Sequence, residues 1–362
     1  MSLSEQSIKQ ALSQLVFAEL GSDIVTSNWL KSVEITEQTV NLMIRVGFPC
    51  ENYQQHYIDA IKSQLAELTD LPITVDFAWS VAAHTHKAGV PALKGVKNII
   101  AIASGKGGVG KSTTSTNLAL ALQSEGARVG ILDGDIYGPS QPLMLGTADA
   151  RPETIDSKTI KPVEQYGLQS MSIGYLVDPE QAMVWRGPMA SSALQQIIND
   201  TQWQDLDYLI VDLPPGTGDI QLTLSQKVPV TAAVIVTTPQ NIALADAVKG
   251  VNMFKKVAVP VLGVIENMGI HICSNCGHAE HIFGEGGGQR LAEDESVEYL
   301  GSLPLSKNIR DYSDKGEPIM VAEPDGKIAD IYKSIARTMA ARLSLHAKDY
   351  GQSLPNITIS ND

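Results

Sequence analysis

Apolar residues fall into two regimes along this chain. From residue 98 they come as short unbroken runs rich in β-branched side chains: NIIAIAS (98–104), RVGILD (128–133), YLIVDL (208–213), AAVIVTT (232–238) and VPVLGVIEN (259–267). Stretches of helical character, such as Lys111–Gln123 and Ala243–Lys256, separate them. A strand that is apolar at every position must be covered on both faces, so this alternation predicts parallel strands in a doubly wound α/β domain. Before residue 80 the pattern is different and predicts a helix over Ser4–Glu19, strands at Leu30–Glu34 and Thr39–Val46, a helix over Gln54–Leu68 and a strand at Ile73–Phe77. That is a small α+β unit over 1–83.

The fourteen residues HTHKAGVPALKGVK (84–97) mix Gly, Pro and Lys with no apolar period and read as a linker. Extended, they reach ~45 Å, which leaves the two units free of a fixed geometry. The α/β domain is expected to occupy 98–347, with a loose tail at 348–362. Near its end Ile328, Ile331, Ile335, Met339 and Leu343 lie at helical spacing. The favoured reading is a terminal helix packed on the domain. A membrane-surface helix using Lys333, Arg337 and Arg342 is the alternative, and it lacks a Trp or Phe anchor.

Composition narrows the partners. Of the 362 residues 43% are hydrophobic and 19% charged, enough for sizeable cores. The 27 basic and 40 acidic side chains give a net charge of −13, with no Lys/Arg run to grip a phosphate backbone, so nucleic acid is not expected as a principal ligand. The start, MSLSEQSIKQ, lacks the apolar stretch of a signal peptide, and the longest apolar run, near 228–236, is far shorter than the ~20 residues of a membrane span. A cytoplasmic protein without stable membrane association is expected. Three cysteines are too few for a disulfide framework, and Cys273 and Cys276 form a CxxC, which in a reducing compartment points to metal or redox chemistry.

The first chemical motif is GKGGVGKS, Gly105–Ser112, which fits G-x-x-x-x-G-K-[ST] between a predicted strand and a predicted helix. Gly105, Gly107, Gly108 and Gly110 let backbone N–H groups of the loop, Val109 included, wrap an anion at the positive end of a helix. Lys111 is expected on the β- and γ-phosphates of ATP and Ser112 on Mg²⁺, with Thr113 beside it. In YLIVDLPPGTGD, Asp212 ends a strand as a second Mg²⁺ residue, and the loop 214–219 follows as a γ-phosphate sensor. Asp133 and Asp135 in LDGDIYGPS are the candidates to orient the attacking water, unless one merely caps a turn.

HICSNCGHAEH carries the CxxC between a strand and the Gly-rich FGEGGG. Two thiolates are half of a tetrahedral site or half the ligands of a [4Fe–4S] cluster, and two chains supply four. Zinc held within one chain by Cys273, Cys276 and two of His271, His278 and His281 is the rival, and a redox pair is the weaker third reading.

Lys106 is superfluous in an ordinary P-loop and implies additional negative charge to neutralise. KGGVGKST (106–113) resembles the deviant Walker A loop of the MinD, ParA and nitrogenase iron protein ATPases. The resemblance implies an ATP-sandwich homodimer in which Lys106 reaches the partner's nucleotide, as an arginine finger does. It also implies that Asn267 and Pro304 flank adenine. The order KGGVGKST, DGDIYGPS, VWRGPM (184–189), DLPPGTGD, TTPQ and ENM…CSNCG is similar to that of the bacterial Mrp/ApbC iron–sulfur cluster carriers, related to the eukaryotic Nbp/Cfd scaffolds, over about 95–345. This implies a [4Fe–4S] cluster bridged between subunits by Cys273 and Cys276 and transferred to apo-proteins. Trp185 and Arg186 would then be interface or switch-loop residues. In the amino-terminal unit LGSDIV and GFPC (47–50) echo a small domain of iron–sulfur assembly factors, without its usual Asp-Pro. Cys50 is either functional there or a buried small hydrophobe. Two further readings compete: a spatial-positioning ATPase of the MinD/ParA class, which would bind membrane or DNA as a dimer and has no use for the CxxC, and an ATPase in which the CxxC holds a structural zinc that fixes the dimer.

Overall fold

The computed structural model describes residues 3–86, 90–156, 158–177, 187–273 and 275–348. Trp185, Arg186 and the tail beyond 348 lie outside them. The amino-terminal unit comprises α1 (Glu5–Leu12), β1 (Val16–Phe17), β2 (Ser22–Asp23), β3 (Leu30–Ile35), β4 (Val40–Val46), α2 (Gln54–Ala66) and β5 (Ile73–Trp79). There follow β6 (Val96–Ala103), α3 (Lys111–Ser124), β7 (Val129–Asp133), α4 (Gln141–Met144), β8 (Val163–Gln165), β9 (Leu168–Met171), α5 (Gly187–Asp200), β10 (Leu206–Asp212) and α6 (Asp219–Lys227). The chain continues through β11 (Ala232–Thr237), α7 (Asn241–Lys256), β12 (Val261–Ile272), β13 (Ala279–Glu280), α8 (Gly287–Glu295), β14 (Tyr299–Leu305), α9 (Lys307–Asp314), α10 (Ile319–Ala322) and α11 (Lys327–Ser344).

The apolar runs form the middle of a nine-stranded sheet ordered β13-β12-β11-β6-β10-β7-β9-β8, with β14 also on β12. Its central pairings are parallel; β13 on β12 and β8 on β9 are antiparallel. Strand side chains alternate between faces. Ile100 and Ile102 of β6 enter one core with α3 and α11, while Ile99, Ala101 and Ala103 enter a second with α5, α7 and α8. This is the doubly wound, mostly parallel α/β arrangement that the runs predict. The face of α11 carrying Ile335, Met339 and Leu343 is buried on α3 and β14, so it is a packed terminal helix and not a membrane-surface one.

In the amino-terminal unit β3 pairs antiparallel and β5 parallel with β4. The helix expected over Ser4–Glu19 ends at Leu12, and Val16–Phe17 pair with Ser22–Asp23 instead. Phe17 is thereby buried against Tyr57, ring centroids 4.8 Å apart, a tertiary contact that overrides the local helical tendency.

The two units are packed together rather than tethered. His84, 2% exposed, donates its backbone N–H to Asn98 Oδ1 at 3.0 Å, and β6 already begins at Val96, inside the segment that reads as linker. Glu51 N–H donates to Glu125 O at 3.0 Å and Asn52 Nδ2 to Ser124 O at 2.6 Å, so the amino-terminal unit satisfies carbonyls at the end of the P-loop helix α3. Beside them Arg337 of α11 bonds Glu125 at 2.5 Å, lies 3.8 Å from Glu19 and stacks 3.9 Å over the Tyr53 ring. Burial raises the Glu125 carboxyl above its usual range even with Arg337 beside it. Cys50 is fully buried here and burial pushes its thiol far up, which suits the small-hydrophobe reading of that residue.

Arg337→Met should strand buried Glu125 and lower unfolding free energy by about 3–5 kcal/mol near pH 8. A buried carboxyl whose folded-state pKa is raised favours the fold below its unfolded value and loses that contribution as pH rises. The deficit of the variant should therefore shrink toward pH 5, which urea unfolding at the two pH values measures.

Candidate nucleotide and cysteine sites

The P-loop leaves the carboxyl end of β6 and enters α3. Gly105 has no room for a side chain: a Cβ would lie 2.2 Å from the Asp246 carbonyl of α7. Gly108 and Gly110 adopt φ of +80° and +78°, the left-handed region that glycine enters without strain. Lys111 is 6% exposed, with Nζ 2.5 Å from Asp212 Oδ1 and 3.4 Å from Ser112 Oγ. Ser115 Oγ also donates to Asp212 Oδ1, and Gln141 Nε2 to Oδ2 at 3.0 Å. A buried carboxylate and a hydroxyl are hard oxygen donors, the kind that suits Mg²⁺.

The two aspartates of β7 and its following loop separate in character. Asp133 is 1% exposed and its oxygens accept from the N–H groups of Asp135, Ser140 and Gln141 and from Ser172 Oγ. Burial, with Asp212 nearby, pushes its carboxyl up to about 7 against those donors. It holds the start of α4. Asp135 instead lines a ≈ 580 Å³ cavity with Tyr137, Pro214, Pro215 and Gln221. Burial raises its carboxyl, and the charge of Lys111 opposes that shift. Pro215 lies within 4.0 Å of where a Gly107 side chain would sit, and Gly216 N–H donates to Ser104 O, so the 214–218 loop borders the P-loop.

Across the P-loop a ≈ 360 Å³ cavity is lined by Gly110, Thr113, Asn267 and Pro304. Asn267 Nδ2 donates to Val109 O at 2.8 Å. The resemblance had paired Asn267 with Pro304, and the fold brings them to one cavity beside the loop. Leu143 and Met144 of α4 and Tyr332 of α11 are also in its wall, residues that no local pattern singled out. Lys106 is partly exposed and forms no ion pair among the described residues.

Strand β12 carries Asn267 near its middle and runs out into the CxxC. Its pairing with β14 is irregular between Glu266 and Ile270, and Met268 has φ +59°. After Ile272 the chain turns: Cys273 N–H donates to His278 O at 2.9 Å and Gly277 N–H to Cys273 O at 2.8 Å, with Gly277 at φ +72°. Backbone N–H groups of Cys276 and Asn275 hold the Cys273 thiol below its usual pKa. Cys273 is partly exposed and Cys276 exposed. The histidines do not join them. His271 Nδ1 is on Leu305 O and His281 Nδ1 on Gly269 O, and among the described residues no group of three or more His, Cys, Asp or Glu is placed to hold a metal. Among the described residues, then, two cysteines and two histidines are not gathered into one set.

A family model described as ParA, the NUBPL iron-transfer P-loop NTPase, matches residues 95–340. The iron-sulfur cluster carrier protein of Haemophilus influenzae is 49% identical over 94% of this chain and 92% of its own length. That of Pseudomonas fragi is 61% identical over 73% of this chain and 92% of its own. Among solved structures, a nucleotide-binding protein of Archaeoglobus fulgidus in complex with ADP is 34% identical, with a TM-score of 0.57 over 65% of this chain and 92% of that one. With the phosphate loop, the carboxylates around it and the cysteine turn in place, these matches make the chain a member of the NUBPL-type iron-transfer P-loop NTPase family.

Proposed function

We propose that this protein is an ATP-hydrolysing carrier of iron–sulfur clusters, which holds a [4Fe–4S] cluster as cargo between two copies of the chain and delivers it to apo-proteins of the cytoplasm. The observation that carries the reading is the Cys273–Cys276 turn: two accessible thiols without a third donor gathered beside them among the described residues. Half a ligand set on each chain calls for a homodimer. The relatives named as cluster carriers support the same assignment.

In this reading the N–H groups of residues 105–113 cradle the phosphates of ATP, and adenine lies between Asn267 and Pro304. Lys111 turns from Asp212 to the β- and γ-phosphates. Ser112 and Asp212 would hold Mg²⁺, which supplies positive charge to the phosphate oxygens. Asp135, facing the cavity, orients the attacking water, while Asp133 keeps α4 in place. Lys106 of the partner copy neutralises charge on the γ-phosphate. Strand β12 couples the two chemistries, since it touches the P-loop at Asn267 and ends at Ile272, directly before Cys273.

The deciding measurement is iron, sulfide and zinc on anaerobically reconstituted protein. The reading expects about four irons and four sulfides per dimer with visible absorbance. Stoichiometric zinc that iron does not replace would sink it and leave the turn a structural clamp.

A further inference from the structure

We infer that Gln141 is a positioning residue for the carboxylate of Asp212, carried to it by the short helix α4. This rests on the ATPase reading and adds a residue to it. Gln141 is fully buried, although nothing in its local sequence demands burial of an amide. Its Nε2 donates to Asp212 Oδ2 at 3.0 Å and approaches Ser112 O at 3.3 Å, its Oε1 accepts from Thr116 Oγ1 at 2.6 Å, and its backbone N–H is held by Asp133 Oδ2 at 3.0 Å. The orientation of the amide is dictated by charge, because only the NH₂ end can face a carboxylate.

The two oxygens of Asp212 are served differently. Oδ1 takes Lys111 and Ser115; Oδ2 takes Gln141 alone among the described residues. A neutral donor fixes the plane of a carboxylate without cancelling its charge, which a lysine or arginine in that place would do. Groups that orient a metal's ligands in this way set affinity for the metal without touching it. Helix α4 also faces the nucleotide from a second side, since Leu143 and Met144 line the cavity beside Asn267 and Pro304. One four-residue element thus contacts the base cavity and, through Gln141, the magnesium carboxylate.

The test titrates Mg²⁺ against binding of a fluorescent ADP to the full-length wild type, Gln141→Met and Gln141→Asn, with thermal midpoints alongside. Methionine preserves length and removes the donor; asparagine keeps an amide one methylene short. Gln141→Met should need about 10–100-fold more Mg²⁺ for the half-maximal effect, Gln141→Asn less than that, and both should bind ADP in EDTA much as the wild type does. An unchanged Mg²⁺ requirement in a folded variant overturns the proposal. So does an equal loss of affinity with and without Mg²⁺, which marks a packing residue only. A wild type indifferent to Mg²⁺ would instead bring down the ATPase reading beneath it.

Discussion

Replacing either Cys273 or Cys276 by alanine is expected to take the reconstituted protein from about four irons per dimer to nearly none, with its visible absorbance. The size of the effect follows from the donor set. A single substitution removes one ligand from each copy, so two of four remain, and His271 and His281 are held on the backbone carbonyls of Leu305 and Gly269. No described side chain is placed to substitute. Nucleotide binding should persist in both variants, because Asn267 reaches Val109 from the body of β12 while the cysteines lie beyond its end. ADP binding beside the iron assay separates loss of cargo from loss of fold. Iron retained at wild-type level in both variants would remove the CxxC from the carrier mechanism.

The second large effect belongs to Lys106. Lys106→Ala should lower ATP turnover by about a thousand-fold or more while leaving ATP affinity within a few-fold, as expected of a cation that acts on the transition state. Its position supports action outside its own site: Lys111 is buried against Asp212, whereas Lys106 is partly exposed on the loop and has no ion-pair partner among the described residues. Mixing distinguishes action in trans from action in cis. When Lys106→Ala chains are combined with Lys111→Ala chains, each mixed dimer has one nucleotide site with an intact P-loop Lys111 and the partner's Lys106. If dimers form at random, the mixture should recover about a quarter of wild-type turnover. No recovery from a mixture shown to contain mixed dimers would place Lys106 in its own site.

What was legible in the sequence is what depends on local chemistry. A run apolar at every position needs cover on both faces, so NIIAIAS and YLIVDL announced buried parallel strands before any partner was known. Glycine, lysine and serine at P-loop spacing, and cysteines three apart, are likewise local, because the chain that binds is contiguous. Asp133 and Asp135 show where this stops. They are two residues apart in one motif, yet one is enclosed by four donors and the other faces a cavity. Tertiary structure alone decided that, as it decided that Gln141 faces Asp212 from 71 residues away and Arg337 meets Glu125 across 212. It also ended α1 at Leu12 by burying Phe17, and joined the two units across a Gly/Pro-rich stretch that reads as a linker. Periodicity records which side of an element is apolar; which distant group that side meets is settled by packing.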